Sequence, residues 1–260
     1  MNPPGESLDL RTIPAAVISL VSRTDRRAHI TSHFGDLGLD YRFIDGVTGE
    51  GKNKAVTLAF RKAFDAMKAA PFLIFEDDVR CTGTSTILPA PPADADVIYL
   101  GTNFGGMFRD DAEHRAWTRQ RSVDGFALAS DHDEAYMRLH SAVGAYALLF
   151  LTEKAVETAR RQTRIALNRG HPIDVRFARM MQDLAVYGLR DHLFIEEISL
   201  QSDADLEWRR AVTQTPLKAS AEGDLRSFVH NGERVTGQVV RAQGGGLEWV
   251  LVSRTPLSRD

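Results

Sequence analysis

A chain of 260 residues, 43% hydrophobic and 26% charged, can bury a substantial core and has the composition of a folded α/β protein rather than a disordered one. Its 35 acidic and 32 basic residues leave a formal charge of −3, so no overall field recruits nucleic acid or an anionic membrane, and any basic surface is local. The single cysteine, Cys81, excludes an intramolecular disulfide framework and suits a reducing compartment, so a cytoplasmic protein is expected.

Met1 to Leu10 is polar and proline-containing, without the basic start and apolar stretch of a secretory signal. The longest apolar run, Ala142 to Leu151, is shorter than the roughly 20 residues that cross a bilayer. It reads as a buried strand, and membrane contact, if any, is peripheral.

Ala15 to Val21 is a short apolar run, and Ser22 to Asp25 then supply a polar turn with candidate helix caps. Ala28, Ile30, Phe34 and Leu37 follow helical spacing, Gly38 stops the helix, and Tyr41 alternates with Phe43 as on a strand. The opening is therefore βαβ. A second helical pattern from Val56 to Met67 precedes the strand-like Phe72 to Phe75, and Asp96 to Gly101 reads as a further buried strand after the Pro/Ala connection Pro89 to Ala95. Thr102 to Leu139 has no clear period and reads as a long loop or lid, with Phe104 and Trp117 available to stack on a sugar or simply to pack.

Ala145 to Leu151 returns to strand character, Thr152 and Glu153 start a helix through Ile165, and Asp174 to Tyr187 reads as an amphipathic helix stopped by Gly188. Beyond Asp203 the pattern weakens, with β-like pieces at Val235 to Val240 and Leu247 to Val252 punctuated by His230-Asn231-Gly232 and Gly244-Gly245-Gly246. This divides the chain into a catalytic α/β domain, residues 1–205, and a small β-rich C-terminal appendage, residues 206–260.

The strand Phe72 to Phe75 runs into Glu76, Asp77 and Asp78, and ligands of open α/β sheets bind beyond the carboxyl ends of strands. If strand geometry persists, Glu76 and Asp78 share a face and Asp77 points away. Two hard oxygen donors then converge on Mn²⁺ or Mg²⁺, which keep room for phosphate oxygens of a nucleotide diphosphate. The same tripeptide can equally be a solvated strand end or a helix-capping cluster.

Val17-Ile18-Ser19-Leu20, Ser22 to Arg27, Tyr41 to Gly49, and Phe75-Glu76-Asp77-Asp78-Val79 together resemble glycosyltransferase family 25, which includes lipopolysaccharide and collagen glycosyltransferases. Tyr99-Leu100-Gly101, Gly144-Ala145-Tyr146, Pro172-Ile173-Asp174 and Leu200-Gln201-Ser202 follow in the family's order, so the resemblance covers roughly residues 15 to 205. Ser19 stands where the family usually has Asn, and Phe75 where it has Leu. The resemblance implies a GT-A-like, Rossmann-type nucleotide-sugar-binding domain, a UDP-linked or similar donor, a divalent metal, a glycan or other hydroxyl acceptor, and inversion at the anomeric carbon.

Arg23 and Arg27, after the first strand, are the candidate partners of the diphosphate, with Asp77 also assigned to the donor. Asp45 either meets the ribose or base or caps the turn before Gly46. An inverting transfer needs a base for the acceptor hydroxyl; Asp174 is the candidate, its alternative being the cap of its own helix. Among His140, His171, His192 and His230, His230 is ranked first as a third metal ligand beside Glu76 and Asp78. Cys81 reads as an inert thiol. Adjacent acids are the wrong arrangement for a glycoside hydrolase, whose carboxyls flank a bond about 5 to 10 Å apart. A non-catalytic binding module of the same fold is the other alternative.

Overall fold

The computed structural model describes residues 6–102, 127–200, 217–230 and 233–256. In chain order, β1 (Leu8–Asp9) leads to β2 (Ala15–Ser19), α1 (Thr24–Leu37), β3 (Tyr41–Asp45), α2 (Lys52–Ala66), β4 (Phe72–Glu76), β5 (Val79–Cys81), β6 (Ile87–Leu88) and β7 (Val97–Gly101). Then follow β8 (Leu128–Asp131), β9 (Tyr136–Ser141), β10 (Ala147–Phe150), α3 (Glu153–Arg169), α4 (Ile173–Met180), β11 (Val186–Leu189) and β12 (Phe194–Glu196). Three further strands complete the described residues: β13 (Leu225–His230), β14 (Glu233–Arg241) and β15 (Leu247–Pro256).

Among the described residues, eight strands form one mixed sheet in the order β3-β2-β4-β10-β7-β11-β9-β8. The pairs β2–β3, β2–β4 and β7–β11 are parallel, whereas β10 runs against both β4 and β7. The carboxyl ends of β2, β3 and β4 therefore open on one edge, with the start of β10 beside them.

Side-chain alternation places helices on both faces. Phe72 and Ile74 point into a core with Phe60 and Phe64 of α2, Val156 of α3 and Phe177 of α4. Leu73 and Phe75 point the other way, to Ile30 and Phe34 of α1. Since β4 is buried on both faces, it reads as a continuous apolar run rather than an alternating one. The ends of α1 and α3 follow cap chemistry: Gly38 and Gly170 take the left-handed conformation after each helix, and the Thr152 side chain accepts from the Ala155 amide at 3.2 Å.

Two expectations need correction. The segment Thr102 to Leu139 is not one long loop, because β8 and the first four residues of β9 fall in it and the two strands pair as the sheet's edge hairpin; residues 103–126, with Phe104 and Trp117, lie outside the described residues. Nor does a helix run from Asp174 to Tyr187: α4 stops at Met180, and Val186–Leu189 pairs with β7 and β9. Gly188 is a strand residue, needed because Leu217 and Leu139 side chains come within 2.9 and 3.2 Å of where its Cβ would stand.

Strands β13, β14 and β15 form a separate antiparallel sheet. Val235, Val239, Leu247 and Trp249 bury its inner face against Leu128 of β8, at the far side of the main sheet from β3. No helix among the described residues is long and apolar enough to cross a membrane.

Candidate active site

A cavity of about 440 Å³ opens at the carboxyl ends of β2, β3 and β4. Ser19, Leu20, Gly46 and Val47 form one side and Lys52, Val56 and Phe60 of α2 another; Arg23, at the N-cap of α1, and Arg26 of α1 line it with the carboxylates of Glu76, Asp77, Asp78 and Glu196. Gly46 permits the close approach of the β2 and β3 ends, since a Cβ there would lie 2.8 Å from the Leu20 side chain.

Strand geometry ends at Glu76, and a turn carries Asp77 and Asp78. The alternation expected of the acidic run is thereby lost: Asp77 Oδ1 and Asp78 Oδ2 converge on one nitrogen, Arg26 Nη1, at 2.7 and 2.8 Å. All three side chains are largely buried. Arg26, passed over in favour of its neighbours, is therefore the central cation. A signal for it exists in the sequence, because Arg26, Ile30 and Phe34 recur every fourth residue and the last two are buried, which turns Arg26 inward.

Arg23 also lines the cavity, but its guanidinium is engaged with Asp25 and donates to the Leu200 carbonyl. Arg27 and Asp45 pair with each other at 2.5 Å outside the cavity lining, Arg27 also donating to the Ser19 carbonyl and stacking over Phe43. The pairing uses the very groups assigned separately to diphosphate and nucleoside. Lys52, at the start of α2, supplies a cationic side chain to the cavity that was not singled out.

Glu196 is the other residue that sequence reading missed. It ends β12, which pairs antiparallel with β5 so that Glu196 stands opposite Val79, and the Glu197 amide donates to the Asp78 carbonyl. Leu193-Phe194-Ile195 running into Glu196-Glu197 repeats in miniature the pattern of an apolar strand ending in acids. Its position depends on Gly101: a Cβ there would stand 1.9 Å from the Phe194 carbonyl oxygen and 2.7 Å from the Tyr146 ring.

Burial, and then the charges of Asp78, Glu196, Asp174 and Asp77, hold the Glu76 carboxyl well above its ordinary range. Two tyrosines share this surplus of negative charge. Among the described residues the hydroxyls of Tyr99 and Tyr146, each 1% exposed, have no hydrogen-bond partner, and burial together with nearby carboxylates raises both. Asp174 acts on Glu76 and Tyr99 through its charge, but it does not line the cavity; it lies in the first turn of α4 and accepts from the Val175 amide.

Hard oxygen donors and surplus negative charge fit Mn²⁺ or Mg²⁺ in donor chemistry. Yet among the described residues no three His, Cys, Asp or Glu side chains are arranged to hold a metal ion. A guanidinium holds Asp77 and Asp78 instead. Among the described residues no histidine lines the cavity: His140 bonds Ser130 on the neighbouring strand at 2.9 Å, and His230 belongs to β13 of the C-terminal sheet, its side chain outside what is described. Cys81 is buried on β5, where burial pushes its thiol up, as expected of an inert thiol.

A comparison with curated proteins finds no match. Among solved structures the chain is similar to CTP:phosphocholine cytidylyltransferase from Streptococcus pneumoniae, at 8% identity and a TM-score of 0.36, over 71% of this chain and 92% of that one. An overlap that low fixes neither topology nor chemistry. The family model that matches is that of glycosyltransferase family 25, described as an LPS biosynthesis protein, over residues 12–71, a stretch that runs from before β2 through α2 and stops short of the acidic turn.

Proposed function

We propose that the chain is a glycosyltransferase with a GT-A-like domain that takes a nucleotide-diphosphate sugar, UDP-linked in the first instance, and transfers the sugar with inversion to a glycan or other hydroxyl. The observation that carries this reading is the cavity itself. Its cationic wall, with Arg23, Arg26 and Lys52, belongs to the family-matched stretch, and its floor is built of carboxylates from β4 and β12. The family's description as an LPS biosynthesis protein supports a lipopolysaccharide precursor as acceptor.

In this reading Lys52, Arg23 and Arg26 meet the diphosphate through charge-assisted hydrogen bonds. The apolar side, with Val47, Val56 and Phe60, shields the nucleoside from water. The acceptor oxygen forms a bond to the anomeric carbon as the bond from that carbon to the diphosphate oxygen breaks, and its proton passes to a carboxylate. Glu196 lines the cavity and is proposed for that role ahead of Asp174, whose contact with the Val175 amide fits a helix-end function. Mn²⁺ or Mg²⁺ held by Glu76 and Asp78 would supply charge neutralisation at the leaving group.

The test is a panel of nucleotide sugars incubated with Mn²⁺, Mg²⁺ or EDTA, scoring released nucleoside diphosphate and the anomeric configuration of the product. Metal-dependent turnover of at least one donor is expected. Absence of turnover and of nucleoside diphosphate binding across the panel would sink the reading in favour of a non-catalytic module.

A further inference from the structure

We propose that the groove between α2 and α3 is an anion site that takes a phosphate group, carried by a free small molecule or by a lipid headgroup. The groove shares no lining residue with the cavity at the ends of β2, β3 and β4, so its ligand is independent of the transferase reading.

Charge is segregated along this chain. Its formal charge is −3, yet α2 holds four basic residues against one acidic and α3 holds five against two. The two helices pack together through Phe60, Phe64, Val156 and Ala159, which brings their positive excess side by side. A groove of about 490 Å³ lies between them, lined by Arg61 of α2 and by Arg160, Arg161 and Arg164 of α3, against Asp65 and Glu157. All four of its basic residues are arginines, and the lysines of both helices, Lys52, Lys54, Lys62 and Lys154, lie outside the lining. That choice suits phosphate, because the planar fork of a guanidinium can meet two oxygens of one phosphate at once.

The two acids do not neutralise these arginines. Asp65 and Glu157 each stand four residues from an arginine of the groove, Arg61 and Arg161, a spacing at which opposite charges on a helix can pair. Neither pair forms among the described residues. Arg161 meets Asp183 instead, at 3.1 Å, and Asp183 is outside the lining. Arg61 and Arg164 are exposed and have no hydrogen-bond or ion-pair partner among the described residues.

Arg160 is anchored but not satisfied. Its Nη2 donates to the Phe64 carbonyl near the end of α2, 2.6 Å away, whereas its Nε is buried with no hydrogen-bond partner. The contact fixes one guanidinium across the helix pair. Arg160 and Arg164 are also four residues apart, where like charges repel. An anion between them replaces that repulsion with two attractions.

Calorimetric titration of the full chain with sodium phosphate, in the presence of EDTA, tests the site. Arg61→Gln/Arg164→Gln removes two guanidiniums that make no printed contact within the fold, so folding should persist while phosphate affinity drops about tenfold. Lys54→Gln/Lys62→Gln takes the same charge from α2 outside the groove and should change the affinity by less than about twofold, since water and salt screen exposed charges. An equal loss in the two double variants would mean diffuse attraction and overturns the site. A loss confined to Lys52→Gln would place the phosphate in the other cavity and also overturns it. Co-sedimentation with vesicles separates the two sources. Retention on phosphatidylglycerol but not phosphatidylcholine, lost in Arg61→Gln/Arg164→Gln and kept in Lys54→Gln/Lys62→Gln, assigns the phosphate to a lipid headgroup; phosphate binding without retention assigns it to a free ligand. If neither phosphate nor vesicle binds, the proposal fails, whether or not the protein transfers a sugar.

Discussion

The acidic turn after β4 and the C-terminal sheet are held by opposite means. Around the turn, Asp77 and Asp78 share one guanidinium, Glu76 and Glu196 stand close enough for their charges to act on each other, and the buried Tyr146 hydroxyl has no hydrogen-bond partner among the described residues. In the C-terminal sheet, Trp249, Val235, Val239 and Leu247 close an apolar cluster with Leu128. The second region spends its burial on stability, while the first keeps polar groups dry that water would otherwise satisfy. Such a concentration of unsatisfied groups is tolerated where a ligand completes the site, and the surrounding double-sided core of β4 supports it.

The contrast breaks first at Trp249, which is fully buried. Trp249→Ala should cost ~3–5 kcal/mol, as expected for a large aromatic removed from a packed cluster. Chemical denaturation measures that loss, and nucleoside diphosphate binding in the folded fraction should be unchanged. A parallel loss of binding would show that the two regions are not separable.

Asp78→Asn should do the converse. Turnover is expected to fall ~10²–10³-fold, the range seen when one preorganised electrostatic group is removed. The fold should persist, since Arg26 retains Asp77 as a partner. Asp77→Asn also loosens Arg26 and should lower turnover, though less than Asp78→Asn. Wild-type turnover in Asp78→Asn would remove Asp78 from the site, and failure to fold would make the acidic turn structural.

Much of this contrast was legible in the sequence, but unevenly. The βαβ opening, β4, β7, β10 and the start of α3 follow from apolar runs and cap residues because their environments are simple: buried on both faces, or begun at a threonine. The hairpin β8–β9 was not legible. Leu128-Ala129-Ser130-Asp131 carries no β-branched residue, and its burial comes from Trp249 and its neighbours, more than 100 residues further on. At the site, the acids of β4 announce themselves by adjacency in the chain. Glu196 reaches them only through the β5–β12 pairing, and the choice among Arg23, Arg26 and Arg27 depends on how α1 is rotated by Ile30 and Phe34.

His140 offers a pH test of the second region. Its ring bonds Ser130 and lies 3.3 Å from where a Cβ on Gly246 would stand, so it sits where the C-terminal sheet meets β9. Burial, then the charges of Arg138 and Arg241, lowers its pKa to about 4 from 6.5. Between those values the unfolded chain takes up a proton that the folded chain refuses, so stability is fully present above pH 6.5 and falls as the pH drops toward 4. Denaturation midpoints at pH 5 and pH 7 should differ less in His140→Gln than in the native protein. An equal difference would mean that this histidine contributes nothing to acid sensitivity.

The smallest effect is expected at Asp45, and it sharpens the boundary of the site. Its side chain is 62% exposed, and its partner Arg27 is also held by the Ser19 carbonyl and by Phe43. Exposed ion pairs contribute ~0–1 kcal/mol, because water screens the attraction and two long side chains must be ordered to form it. Asp45→Asn should therefore shift stability by less than ~1 kcal/mol. Nucleoside diphosphate affinity should hold as well, since Asp45 lies outside the cavity lining and Arg27 keeps its other contacts. Calorimetry with UDP and Mn²⁺ separates the two roles open to this residue: an unchanged affinity leaves Asp45 as the outer partner of Arg27, whereas a tenfold loss, ~1.4 kcal/mol, would bring it back to the ribose or base and extend the donor site past the end of β3.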